Sequence, residues 1–422
     1  MDDRDDTAGA GGGPRFSRRI DWRRAENALA RAESARRRAG LPILDLTESN
    51  PTAAGLLDDA SAQAIADALA RAPVGRYAPT PRGLPAARRA VADAYARTGV
   101  AIDPERLILT ASSSESYSHL WKVLCDPGDA VIVPEPSYPL FDYLARLDCV
   151  STTPYRLIHD FTRNGRWDID LASVDGALAG GPERPAALVV VSPNNPTGSV
   201  LREDDLAALD QRAAATGTAI VCDEVFADYV VSATAGDNRS AAGVRCAAAR
   251  STEALTFSLG GLSKSCGLPH LKLGWIVVGG PRRLVQAALD RLDLVADTYL
   301  SVGTPVQEAL PDLLRVGAGV RQAITTRVAD NRRALHAAIG RDSPLTLLHS
   351  EGGWSAIVRV PAVRDDEQWA LALLEKDNVL CHPGYFFDMR GGVFLVLSLL
   401  PAPDTFAEAV RRLIARVADS VP

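Results

Sequence analysis

ALTFSLGGLSKSCGLPHLKLGWIVV, residues 254–278, sets two apolar runs, ALTFS (254–258) and GWIVV (274–278), around a loop rich in glycine and serine. The chain carries 46 lysines and arginines, of which only four are lysines, and two of those, Lys264 and Lys272, stand in this loop. Arginine is never deprotonated in a protein, whereas lysine loses its proton when it is desolvated. A chain that writes nearly all its positive charge as arginine but keeps lysine here points to a need for a primary amine. The other two lysines are poorer candidates: Lys122 lies inside the helical stretch SHLWKVL, and Lys376 in LLEKDN is a solvated surface charge.

Working outward, the same kind of apolar run recurs as LILT (107–110), AVIVP (130–134), ALVVVS (187–192) and AIVCD (219–223). Each is too continuous for a half-exposed strand, which predicts a sheet covered on both faces. Helical stretches lie between most of them, as parallel crossovers require. The expected fold class is therefore α/β, a large domain with a mostly parallel central sheet between helices. After SVGTPVQEAL (301–310) the pattern turns mainly helical and closes with weaker strands around WSAIVRV and VFLVLSLL and a terminal helix. The expected domains are a disordered tail (1–15), an N-terminal helix (18–40) with part of a small domain (16–75), a large domain (76–310) and a C-terminal small domain (311–422). The smaller α+β domain is thus built from both chain ends.

Composition excludes other classes. The 422 residues are 47% hydrophobic with a net charge of −6, so no broad basic face offers itself to nucleic acid. No run of apolar residues is long enough to span a membrane. The opening MDDRDDTAGAGGGPRF is acidic and glycine-rich, unlike a secretory signal. The six cysteines lie apart with no C-x-x-C pair, which fits a reduced, cytoplasmic protein. The six histidines are equally scattered, so no metal site is expected.

Ligands of open α/β sheets bind beyond the carboxyl ends of the strands. LILT runs into ASSSES, small hydroxyl residues opening a helix, which is a cradle for a phosphate. AVIVP leads to Tyr138, ALVVVS to Asn194 and Asn195, AIVC to Asp223 and Glu224, and ALTFS to Lys264. A phosphate cradle, an aromatic plate, an amide, a carboxylate and an amine converge on one edge. That set suits pyridoxal 5′-phosphate, whose aldehyde needs a lysine, whose ring nitrogen needs a carboxylate and whose ring face needs a plate.

These residues resemble the fold-type I, class I/II pyridoxal-phosphate aminotransferases, from DLTESNPT (45–52) to the C-terminal helix. In GLSKSCGLPHLKLGW the resemblance makes Lys264 the Schiff-base lysine, with Ser263 beside it and Lys272 where relatives grip the phosphate with arginine. In CDEVF it makes Asp223 the partner of the ring nitrogen, and in NNPTG it puts Asn195 against the ring oxygen. TASSSES implicates Ser113 and Ser114 in phosphate binding, and PSYP places Tyr138 over the ring. RYAPTPRGLPAARRAV implies that Tyr77 reaches the cofactor phosphate of the neighbouring subunit, hence a homodimer with shared sites.

The departures bear on substrate. Phe226 stands where relatives carry a tyrosine that donates to the ring oxygen, and Ser49 where many carry glycine. In GGVFLVLSLL (391–400), Val396 occupies the place of the arginine that clamps a substrate carboxylate. Ser49, Asn50, Asn195 and Arg390 are then the candidate substrate contacts, with Arg82 a further cation. The leading expectation is transfer of an amino group between an amino acid and a 2-oxo acid. The runner-up is elimination, replacement, decarboxylation or cyclisation on the same cofactor, and the third is a non-catalytic sensor, disfavoured because no DNA-binding segment is evident.

Overall fold

The computed structural model describes residues 16–20, 27–73, 75, 77–161, 165–180, 185–231, 243–340 and 343–420. The tail expected at 1–15 and residues 21–26 of the expected N-terminal helix lie outside these; within them the α-helix is Ala28–Arg38, capped by the Asn27 side chain.

The centre is an eight-stranded sheet. Its order is Leu107–Thr110, Gly274–Gly279, Thr256–Gly261, Ala219–Asp223, Ala187–Val191, Ala130–Glu135, Ser151–His159 and Trp167–Ile169. Pairs from Thr256–Gly261 through Ser151–His159 are parallel, while Gly274–Gly279 is antiparallel to both neighbours and Trp167–Ile169 closes the far edge antiparallel. The period of two sorts each strand onto two covered faces. In Ala219–Asp223, Ala219 and Val221 pack with Tyr117 and Phe257, whereas Ile220 and Cys222 pack with Leu188 and Leu206 on the other side. Each fully buried Val, Leu or Ile contributes about 1.5–3 kcal/mol. The expected runs all form strands, with ALTFS shifted to Thr256–Gly261.

The edge pair Ser151–His159 and Trp167–Ile169 was not expected. Ser151–His159 is half exposed and contains Pro154, so it lacks the continuous apolar signature; proline is tolerated there because the strand lies next to the sheet edge.

The second layer is a four-stranded antiparallel sheet ordered Thr346–Leu347, Ser355–Val360, Val393–Ser398, His382–Pro383. Beside it Leu44–Asp45 pairs in parallel with Val379–Leu380, joining the two chain ends as expected. The helix Leu310–Ala338 is common to both parts: Leu310 and Leu313 pack with Leu107 and Leu262, while Ile324, Val328 and Leu335 pack with Trp354 and Leu397. Among the described residues no helix is long and apolar enough to cross a membrane, and no cluster of His, Cys, Asp and Glu could hold a metal ion.

Candidate active site

Two adjacent carboxylates leave the strand Ala219–Asp223, and the strand's alternation sends them opposite ways. Asp223 continues the face of Ala219 and Val221, toward the helix Ser113–Leu124, where Tyr117 Oη donates to its Oδ2 at 3.0 Å. The Val225 amide donates to Oδ1 at 3.1 Å. Burial pushes the Asp223 carboxyl up, and the two donors and the nearby Lys264 amine pull it back toward the charged form. Glu224 turns to the other face, where Cys246 N, Ala247 N and Ser258 Oγ donate to it at 2.6, 2.8 and 2.6 Å. Glu224 is therefore a structural anchor, and Asp223 is the carboxylate left for a ligand.

Lys264 sits in the short helix Leu262–Ser265, directly after the strand Thr256–Gly261. A side chain is excluded near the end of that strand: a Cβ on Gly260 would fall 2.4 Å from the Trp275 indole nitrogen. Tyr229 Oη fixes the lysine's main chain by donating to its carbonyl at 2.6 Å. The amine lies 4.9 Å from the centroid of the Trp354 ring and 5.5 Å from that of Phe226. Those rings meet edge to face at 5.2 Å and close off water on that side. Burial lowers the lysine pKa against the opposing pull of Asp223, so the neutral, nucleophilic amine is favoured more than in a free lysine.

The helix Ser113–Leu124 supplies an anion cradle. Ser112 caps it by accepting from Glu115 N at 3.1 Å, and the Glu115 carboxylate in turn accepts from Ala111 N and Ser301 Oγ, both at 2.6 Å. The cap takes up the Glu115 amide, while Ser113 and Ser114 occupy the first two helical positions, whose amides have no acceptor within the helix. Asn195 is oriented by Ser355 Oγ, which donates to its Oδ1 at 3.2 Å and leaves the amide hydrogens as donors. Asn194 is buried and tied to Ser137 and Thr197. A desolvated amine, a hydrogen-bonded carboxylate, open helix amides and an aimed carboxamide fit the demands of pyridoxal phosphate.

Other expected site residues stand differently. Tyr138 is half exposed and lines a cavity of about 420 Å³ with Ser137, Tyr143 and Tyr385; the rings against the Lys264 amine are Phe226 and Trp354. Ser263 is half buried beside Lys264, and Lys272 is exposed in left-handed backbone at φ 51°. Tyr77 is 80% exposed on a cavity of about 350 Å³ with Thr80 and Ser301. Ser49 and Asn50 lie in an exposed loop held to the small sheet by Ser398 Oγ, which donates to the Glu48 carbonyl.

The proposed cations for the substrate are committed elsewhere. Arg390 is 79% exposed and pairs with Glu135 at 2.6 Å, which removes it as a ready carboxylate clamp. Arg82 makes a two-pronged pair with Asp293 at 2.6 Å on both arms. Val396 is buried, its strand paired to Ile357 and His382, inside an apolar cluster with Phe387 and Met389. Tyr117, Trp354 and Ser355 were missed; each meets its site partner from more than 80 residues away in sequence, and none carries a local motif.

A doubly covered sheet that brings an amine and a buried carboxylate to adjacent strand ends suits a pyridoxal-phosphate enzyme. The chain is a member of the family "Aminotransferase class I and II", whose profile matches residues 42–413. It is a pyridoxal-5′-phosphate-dependent aminotransferase. Alanine aminotransferase of Mycobacterium tuberculosis is 28% identical over 389 residues, covering 89% of this chain and 85% of that protein. Nicotianamine aminotransferase A of Hordeum vulgare is 26% identical over 377 residues, covering 86% and 78%. The solved alanine aminotransferase of Pyrococcus furiosus superposes with a TM-score of 0.83 at 20% identity, covering 96% of this chain and all of that one, a likeness of fold.

Proposed function

We propose that Lys264 carries the cofactor and moves the proton in transfer of an amino group between an amino acid and a 2-oxo acid, with Asp223 holding the ring nitrogen. The observation that carries this reading is the Lys264 amine packed against the Trp354 and Phe226 rings, at the strand end next to that of the buried Asp223. Bound pyridoxal phosphate supplies an electron-accepting ring that draws electrons from the bond at the substrate's Cα.

The chain's own groups do the rest. Asp223, kept toward its charged form by Tyr117 and Val225, would face the ring nitrogen in a medium where water cannot compete. The Lys264 amine would take the proton from Cα and deliver it, across the intervening nitrogen, to the cofactor's aldehyde carbon, as a general base and then acid. The open amides of Ser113 and Ser114 and the charge of Lys272 would hold the phosphate, and Asn195 would orient the ring oxygen. Tyr77, exposed to solvent in one chain, suits a homodimer in which it reaches the phosphate of the neighbouring subunit. Ser49, Asn50 and Asn195 would contact the substrate, in a cytoplasmic enzyme.

Adding amino acids to the cofactor-loaded protein tests the reaction. Transamination changes the cofactor absorbance stoichiometrically, and a 2-oxo acid restores it. The apolar setting of Val396 favours the second reading, elimination, replacement, decarboxylation or cyclisation, and release of ammonia or carbon dioxide without that reversible change would establish it.

A further inference from the structure

The turn that carries Lys264 ends abruptly. Its helix, Leu262–Ser265, is a single turn of four residues, and the carbonyls at its end must find donors elsewhere. The amide that would continue the helix onto the Lys264 carbonyl, Leu268 N, turns back to the Leu262 carbonyl at 3.1 Å, which leaves only Gly267 N at 3.4 Å. The residue four positions beyond Ser265 is Pro269, which has no N–H to give.

Two side chains from other elements fill the gap. Tyr229 Oη donates to the Lys264 carbonyl at 2.6 Å, and Arg321 Nη1 donates to the Ser265 carbonyl at 3.3 Å. Arg321 is aimed by Asp228, whose Oδ2 lies 3.4 Å from the same Nη1 and whose Oδ1 holds Arg245 at 2.9 Å. Asp228 and Tyr229 are neighbours in one turn, Ala227–Tyr229, tied by the Ala227 amide to the carbonyl of Glu224, the residue after Asp223. One segment thus follows directly on Asp223 and, through Tyr229 and Asp228, reaches the main chain of Lys264. The helix Leu310–Ala338 carries Arg321 on a stripe with Gly317, Val320 and Ile324, at spacings of three and four residues. A Cβ on Gly317 would fall 2.4 Å from Cys266 Cβ, and one on Gly267 would fall 2.8 Å from Val320 Cγ1. Helix and lysine loop are therefore in contact on both sides of the guanidinium.

We propose that Arg321 is a positioning residue for the reaction. Aimed by Asp228, it completes with Tyr229 a two-point clamp on the Lys264 and Ser265 carbonyls that keeps the amine within reach of the substrate's Cα. The proposal rests on the reading that the Lys264 amine moves that proton. Misplacing a reacting group by about 1 Å costs up to roughly a hundredfold in rate.

The test uses the cofactor-loaded protein with Arg321→Met, which keeps the stem and removes the donor, and with Arg321→Lys, which keeps the charge. Three quantities are read: kcat, KM, and the isotope effect with an amino acid deuterated at Cα. In R321M kcat is expected to fall roughly ten- to a hundredfold while KM stays within about twofold. The isotope effect grows, because proton transfer becomes the slow step, and R321K recovers part of kcat. A merely structural role would lower the melting temperature but leave kcat per loaded site and the isotope effect as in wild type, and that result overturns the proposal. Should R321M fail to fold, Asp228→Asn releases the aim of Arg321 while keeping the shape of the side chain. The same changes are expected there, and their absence overturns the proposal equally. In Lys264→Ala supplied with ethylamine as a soluble base, R321M is expected to change turnover no further; an equal fall would mean that Arg321 acts elsewhere. Wild-type turnover by Lys264→Ala without the amine would instead sink the reading of Lys264 itself.

Discussion

Tyr117 Oη donates to Asp223 Oδ2 across 3.0 Å between two residues 106 positions apart, both buried. Burial raises the Asp223 carboxyl, and this donor lowers it. Tyr117→Phe removes the lowering influence, so the carboxyl rises further. The acidic limb of kcat/KM, where it reports Asp223, moves to higher pH, and unfolding free energy falls by about 1–3 kcal/mol because a buried acceptor loses its partner. A pH–rate profile and urea denaturation measure both; an unmoved acidic limb contradicts the assignment.

The neighbouring carboxylates separate by role. Glu224→Ala strands three buried donors and is expected to cost about 3 kcal/mol or more. Asp223→Ala leaves only the Tyr117 hydroxyl and the Val225 amide without their acceptor, so it costs less stability while abolishing turnover. Thermal unfolding of the two variants beside their cofactor affinities distinguishes the roles.

Half-buried Lys264, its amine desolvated, loads the cofactor-free fold with an unfavourable charge. Its folded pKa is lowered by burial, so between that value and the ordinary 10.5 the unfolded chain binds more protons. Raising the pH through this window therefore stabilises the native state. Lys264→Met is expected to raise the unfolding temperature of the cofactor-free protein at neutral pH. The gain shrinks as pH approaches 10.5, and a pH series of melts reads it directly.

Arg390→Ala breaks an exposed pair with Glu135 and is expected to cost only about 0–1 kcal/mol. KM for the amino acid stays close to wild type. A large rise in KM would return Arg390 to the substrate site.

Much of the centre was legible because strand ends gather ligand groups. The continuous runs at 187–192 and 219–223 marked covered strands, and the residues that follow them carry Asn195 and Asp223. The alternation of the strand separates Asp223 from Glu224 only once its faces are known, since both stand equally after an apolar run. Tyr117 and Trp354 were hidden for a different reason. In sequence each is an aromatic residue on an apolar face, and only the packing of a distant element brings the Tyr117 hydroxyl to Asp223 and the Trp354 ring to the Lys264 amine. Tyr138 was marked by its motif, and its ring lines a cavity with Tyr143 and Tyr385. The two-residue pairing of Leu44–Asp45 with Val379–Leu380 is too short to leave any periodic trace.

The central claim is that Lys264 is the amine that carries the cofactor, and only four lysines compete for that role. Reducing the pyridoxal-phosphate-loaded protein with borohydride fixes the cofactor to its lysine, and peptide mass mapping locates it. The adduct is expected on the peptide containing Lys264 and absent after Lys264→Ala. An adduct on Lys122, Lys272 or Lys376 instead, or none at all, would contradict the account.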